Sequence, residues 1–180
     1  MVIGLTGPNA SGKGEVARYL EAHGYVYHSL SDVVREEAAL RELDPLRENL
    51  IKIGNELRTQ HGPSVLAERV RTKLTGKDIV DSIRNPSEVM EMRKEKDFFL
   101  LAVDAPVRLR FERAIGRGRI GDGITLNEFI EKEERENSLD PAAQQLRECM
   151  KFADRIIIND GTLDELHRKI DEILSLLPLS

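Results

Sequence analysis

Gly7-Pro8-Asn9-Ala10-Ser11-Gly12-Lys13-Gly14 follows the short apolar run Val2-Ile3-Gly4-Leu5 and leads into Glu15-Val16-Ala17-Arg18-Tyr19-Leu20, which is amphipathic at helical spacing. Gly7, Gly12 and Lys13 satisfy G-x-x-x-x-G-K, and a strand before the motif with a helix after it is the context that it requires. A chain that turns through glycines into a helix presents successive backbone N–H groups at the positive end of that helix. They form an anion cradle, and Lys13 adds a full charge for the outer phosphates. A chance glycine turn carrying a lysine would lack the strand, the spacing and the helix together. The stretch predicts a nucleotide-phosphate site.

Outward from the loop, short apolar runs alternate with longer amphipathic ones. Strands are expected at 2–5, 25–29, 78–82, 98–103 and 155–158. Leu46, Leu50, Ile53 and Leu57 recur at spacings of one helix face, after the start signal Asp44-Pro45 and before Gly62. Asn85-Pro86 and Asp140-Pro141 repeat the start signal, and Thr125…Glu128 and Thr162…Glu165 read as capping boxes. Strands separated by helices are βαβ crossovers, so the expected fold is α/β, three-layer, with a parallel sheet of about five strands. Ligands of such sheets bind at the carboxyl ends of the strands, hence just after Leu5, Ser29, Ser82 and Val103.

The 180 residues fit one domain, 1–180, that needs no staple. Lys and Arg number 27 against 32 Asp and Glu, a net charge of −5, which argues against a general nucleic-acid coat. It leaves room for a small phosphorylated ligand held by a few local arginines. The single cysteine, Cys149, reads as a buried hydrophobe in a reducing compartment. Four scattered histidines lack zinc-ligand spacing. No run approaches a membrane span, and the start of the chain does not read as a signal peptide, so a cytoplasmic protein is expected.

Beyond the loop, three segments carry candidate chemistry. Ser29-Leu30-Ser31-Asp32-Val33-Val34-Arg35 puts Asp32 and Arg35 one helical turn apart on one face. An arginine there can fork onto a phosphate while the aspartate accepts a hydrogen bond; a capping aspartate with a solvated arginine is the plainer alternative. Ile79-Val80-Asp81-Ser82-Ile83-Arg84 places Asp81 where a carboxylate holds Mg²⁺ through water, with a structural Asp81–Arg84 ion pair as the alternative. Arg108, Arg110, Arg113, Arg117 and Arg119 crowd twelve residues. A solvated basic face or an RNA patch is the alternative, and Phe111 as the sole interleaved aromatic argues against RNA.

The Gly12-Lys13-Gly14 ending resembles the adenylate-kinase branch of the P-loop nucleoside monophosphate kinases. It departs from that family's pattern at Glu15, in place of threonine, and at Ala10, in place of a usual glycine. The resemblance implies ATP binding by Gly7, Asn9, Ala10, Ser11, Gly12, Lys13, Gly14 and Glu15. Arg113 and Arg117 then close over the donor from Glu112-Arg113-Ala114-Ile115-Gly116-Arg117, and Gly161 backs the adenine. Ser-x-x-Asp-x-x-Arg at Asp32 and Arg35, with Arg84, resembles the monophosphate site. The Asp32 segment is equally similar to the acidic motif of dephospho-CoA kinases, where the aspartate serves a hydroxyl. The lid implied at 116–137 is short and helical, with Gly116, Gly118, Gly121 and Gly123 as hinge points.

These resemblances imply transfer of the γ-phosphoryl of MgATP to a nucleoside or deoxynucleoside monophosphate. Lys13, Arg84, Arg113 and Asp32 would be catalytic, Asp32, Arg35 and Arg84 acceptor-binding, and Asp81 the metal-water ligand. Dephospho-CoA-like 3′-hydroxyl phosphorylation is the runner-up. A third reading is a nucleotide-sensing module without turnover, similar to the P-loop unit of deoxycytidylate-deaminase-like proteins, which implies association or fusion with a deaminase-like domain. Expected partners are small nucleotides, with neither nucleic acid nor membrane.

Overall fold

The central apolar run is buried on both faces, and that decides its conformation. In this computed structural model, which describes residues 1–118 and 125–177, all five residues of β1 (Val2–Thr6) are buried. Around it lie β2 (Val26–Ser29), β3 (Asp78–Asp81), β4 (Phe98–Asp104) and β5 (Arg155–Ile158). The sheet order is β2-β3-β1-β4-β5, with every pair parallel, so the glycine-rich loop leaves the middle strand.

Nine helices are seen among the described residues: α1 (Lys13–Ala22), α2 (Leu30–Leu40), α3 (Arg47–His61), α4 (Val65–Arg71), α5 (Pro86–Met92), α6 (Val107–Arg117), α7 (Leu126–Glu134), α8 (Leu146–Lys151) and α9 (Leu163–Leu176). Strand alternation splits the core between them. Ile3, Leu5, Ile79, Leu101 and Val103 meet Val16 and Leu20 of α1 and Leu166 and Ile170 of α9. Val2, Val80 and Leu100 face the other way, onto α2, α3, α4, α5 and Cys149 of α8. Helices therefore cover both faces of the sheet, which makes the three-layer α/β architecture of a P-loop fold. No helix among the described residues is long and apolar enough to cross a membrane.

Two helix starts fall elsewhere than the sequence signals place them. Asp44-Pro45 makes a turn instead, with the Asp44 carbonyl accepting from the Leu46 N–H and the Asn49 side chain, and α3 begins at Arg47. Asp140-Pro141 is likewise a turn, closed by the Ala142 N–H donating to the Asp140 carboxylate at 2.9 Å. The helix after it starts only at Leu146. In both cases the aspartate satisfies its own local turn before a helix can nucleate. Asn85-Pro86 does open a helix, through a full capping box with Glu88, and Thr125 and Thr162 cap α7 and α9 as read.

Candidate functional site

Between β1 and α1 the backbone needs two glycines for different reasons. Gly7 has φ +133°, and a Cβ there would lie 2.0 Å from the Val103 carbonyl oxygen of β4. Gly12, at φ +109°, would drive a Cβ to 2.1 Å from the Asn159 side-chain nitrogen. Both positions therefore exclude side chains. Ala10 adopts a left-handed φ of 58° without being glycine. Asn159, just past β5, donates to the Ser11 carbonyl at 2.9 Å and so ties the loop to the sheet's far side. The N–H groups of Gly12, Lys13 and Gly14 meet no backbone carbonyl among the described residues, as the open end of a helix should. The Ser11 hydroxyl is buried with no partner among the described residues. An anion cradle with an orphaned hydroxyl inside it fits a nucleotide's phosphates.

The Lys13 ammonium folds back onto the loop, donating to the carbonyls of Gly7 at 2.7 Å and Pro8 at 2.9 Å. Desolvation by the surrounding loop pushes its pKa down to about 8; the Asp81 carboxylate opposes this, and the positive charge of Arg84 adds to it. A phosphate would favour the charged form. Nucleotide affinity should then be flat below pH 8 and fall by up to about tenfold per pH unit above it, because binding must take up a proton. Calorimetry at pH 9 in buffers of different ionisation enthalpy should register that uptake, and Lys13→Met should abolish it. Equal heats in both buffers for the parent protein would contradict the assignment.

Asp81 ends β3, and both of its oxygens are occupied. Tyr27 of β2 donates to one at 3.1 Å and the Ser82 N–H to the other at 2.6 Å. Burial and Asp81 together push the Tyr27 hydroxyl's pKa up, so it remains a donor. Ser82 takes a left-handed φ of 68°, and its hydroxyl accepts from Ser31 at 3.0 Å and from Ser29 at 3.3 Å. A carboxylate so held suits a metal reached through water better than one bound directly.

A cavity of about 620 Å³ opens beside the loop. Asn9 to Gly14 line it together with Asp81, Arg117, Arg35, Arg47, Arg84 and Glu136. Its apolar wall includes Leu30 and Val34 of α2 and Leu50 of α3. Arg84 and Arg47 share the carboxylate of Glu136, which is 2% exposed. Asp32 pairs with Arg35 at 2.7 Å on the outer part of α2, both side chains about half exposed, and Asp32 is not part of the cavity wall. Gly7, Glu15, Arg113 and Gly161 are also outside that wall. Glu15 pairs with Arg18 on α1, and Arg113 reaches the Ser11 carbonyl at 3.5 Å.

Arg110 is a structural tie. It is buried, donates to the Ala105 carbonyl at 2.8 Å, pairs with Glu133 of α7 and lies over the Phe129 ring. It reaches the Asn9 carbonyl at 3.5 Å as well, so α7 is anchored to the loop through it. Arg119, Gly121 and Gly123 lie outside the described residues, and the lid reading rests there on sequence alone. Sequence reasoning missed Tyr27, Arg47, Glu136 and the Asn159 tie. Only Asn159 carried a signal, as the polar end of a strand near the loop.

Comparison with known proteins agrees with this architecture. The AAA domain family matches residues 3–138. A UPF0200 protein of Pyrococcus horikoshii is 35% identical, with 97% of this chain and 96% of that relative aligned. A UPF0200/UPF0201 protein of Archaeoglobus fulgidus is 36% identical over 96% of this chain but only 54% of its own length. Among solved structures, a shikimate kinase from Bacteroides thetaiotaomicron superposes with a TM-score of 0.62 at 13% identity, covering 97% of this chain and 98% of that one. The last likeness is one of fold.

Proposed function

This chain belongs to the AAA domain family and to the UPF0200 proteins, and from that premise we propose that it transfers the γ-phosphoryl of MgATP to a nucleoside or deoxynucleoside monophosphate. One observation carries the reading: a single cavity joins the lysine-bearing anion cradle to Arg35, Arg47, Arg84 and Arg117. Two phosphate-bearing ligands meeting there would find several cations around the transfer point. Phosphoryl transfer asks a protein chiefly for such positioning and charge stabilisation. The apolar wall of Leu30, Val34 and Leu50 suits the flat body of a base beside its phosphate.

In this reading the loop amides and Lys13 hold the β- and γ-phosphates, and Arg113 and Arg117 cover the donor. Asp81 would hold Mg²⁺ through water, held in turn by Tyr27 and the Ser82 N–H. The ion's contribution, when bound with ATP, is to neutralise charge shared by the β- and γ-phosphates. The nucleophile is an acceptor phosphate oxygen, already anionic near neutral pH. No general base is needed, which accords with an Asp32 that is exposed and engaged by Arg35.

A ranking of variants tests this. Arg84→Ala should raise acceptor KM by roughly ten- to a hundredfold, the loss of a hydrogen-bonded charge pair on a phosphate. Asp32→Asn should keep most of kcat, since an exposed ion pair contributes little. ADP release over a panel of monophosphates, with dephospho-CoA included, reads both. Turnover of dephospho-CoA alone, with a dead Asp32→Asn enzyme, would select hydroxyl phosphorylation instead. Nucleotide binding without ADP release for any acceptor would select a sensing module.

A further inference from the structure

Glu136 is the one carboxylate in the cavity wall that the proposed reaction does not use, and its placement is costly. It follows α7, is 2% exposed, and receives Arg47 from the start of α3 and Arg84 from the turn between β3 and α5. Arg47 donates to Oε1 through both Nε, at 3.1 Å, and Nη2, while Arg84 takes Oε2 through Nη1. Three segments far apart in sequence thus converge on one carboxylate. A carboxylate buried among charges often stabilises a fold less than apolar packing of the same volume. Its position explains it better than stability does: all three side chains border the cavity with the loop.

Arg84 is only partly consumed by this pairing. Its Nε–H and Nη2 hydrogens meet no acceptor among the described residues, and its side chain is 19% exposed. A guanidinium with idle donors beside a cavity is an anion ligand waiting for its anion. Two like-charged guanidiniums would otherwise repel, and each long side chain would sample many rotamers. One carboxylate bridging them holds both forks at a fixed separation.

We propose that Arg47 and Arg84 form one two-pronged receptor for the acceptor's phosphate and that Glu136 is its positioning residue. The inference rests on the phosphotransfer reading for the identity of the ligand, but the receptor itself can be tested without it. Glu136→Gln is the sharp variant, because its amide turns one of the two acceptor atoms into a donor. Only one arginine can then be held, although the site has gained net positive charge. Simple Coulomb attraction predicts tighter anion binding in that variant; a positioning role predicts weaker binding.

The probe is inorganic phosphate, followed through the guanidinium Nε–Hε resonances of Arg47 and Arg84 so that binding at the loop is not counted. Phosphate should move both signals in the parent protein. Glu136→Gln should weaken that response by roughly tenfold or more, the scale of one charged hydrogen bond. Glu136→Asp, which keeps the charge, should recover part of it. Arg47→Lys keeps its charge and loses the fork, so it should weaken the response as well, and it carries the test if Glu136→Gln fails to fold. Phosphate affinity equal to or above the parent's in a folded Glu136→Gln, or in Arg47→Lys, overturns the proposal. Absence of phosphotransfer to every acceptor, with this titration pattern intact, would remove the reaction and leave the receptor.

Discussion

Lys13→Ala is expected to lower phosphoryl transfer by about 10² to 10³ while the protein stays folded. The direction follows from where the ammonium sits. It lies inside the loop on the carbonyls of Gly7 and Pro8, at the mouth of a helix whose first N–H groups are open. A γ-phosphoryl leaving ATP carries charge to its peripheral oxygens, and Lys13 is the cation that the cradle itself would bring to them. The fold does not need it. Desolvation that holds its pKa near 8 is an energetic cost to the folded state at neutral pH, present below pH 8 and relieved as pH rises toward the unfolded value of 10.5. Lys13→Ala should accordingly melt at or slightly above the parent temperature. A charged group kept at a cost to stability belongs to function. Thermal melting and ADP release on the same preparation check both halves. Full activity in a folded Lys13→Ala would remove the phosphotransfer reading at its root.

What could be read from the chain and what could not divide by the range of the interaction. A strand buried on both faces must be continuously apolar, so the runs at 2–5 and 98–103 announced β1 and β4 to within a residue. The loop was legible because its glycines stand at fixed offsets where the turn takes a positive φ, although neighbours distant in sequence also exclude a Cβ there. Asp32 and Arg35 were legible as a pair because one helical turn separates them; their exposure was not, since it depends on what packs over α2. Glu136 ends the charged stretch Glu131-Lys132-Glu133-Glu134-Arg135-Glu136, which reads as a solvated helix face. Nothing local marks it as the residue that turns inward to meet an arginine 89 positions earlier. Tyr27 with Asp81 is hidden for the same reason, and Asn159 with the Ser11 carbonyl showed only as a polar residue at a strand end. The sheet brings them together, and no short-range pattern encodes it.

Glu88→Ala should be the most destabilising single change near the site, by about 3 to 5 kcal/mol, the usual cost of leaving a buried charge without its partner. Arg58 of α3 and Glu88 of α5 are 3% and 0% exposed, joined by Nε at 2.9 Å and Nη2 at 2.7 Å to a single oxygen. The other oxygen accepts the N–H groups of Arg84 at 2.9 Å and Asn85 at 3.0 Å. Removing Glu88 therefore strands a guanidinium and two backbone donors together. Arg58→Met removes less, because the carboxylate keeps its two N–H partners, so it should cost less than Glu88→Ala. Replacing both side chains by apolar ones should fall short of full recovery, since the Arg84 and Asn85 donors stay unpaired at roughly 1 to 3 kcal/mol each. For a domain of this size the Glu88→Ala loss corresponds to a drop in melting temperature of about 6 to 20 °C. The same carboxylate also holds the backbone from which Arg84 projects. Glu88→Gln, with one carbonyl oxygen in place of two carboxylate ones, should therefore raise acceptor KM even at temperatures where it is fully folded, and leave ATP affinity nearly unchanged. A Glu88→Ala protein melting within a degree or two of the parent would show that the ion pair does not hold α3 to the Arg84 turn.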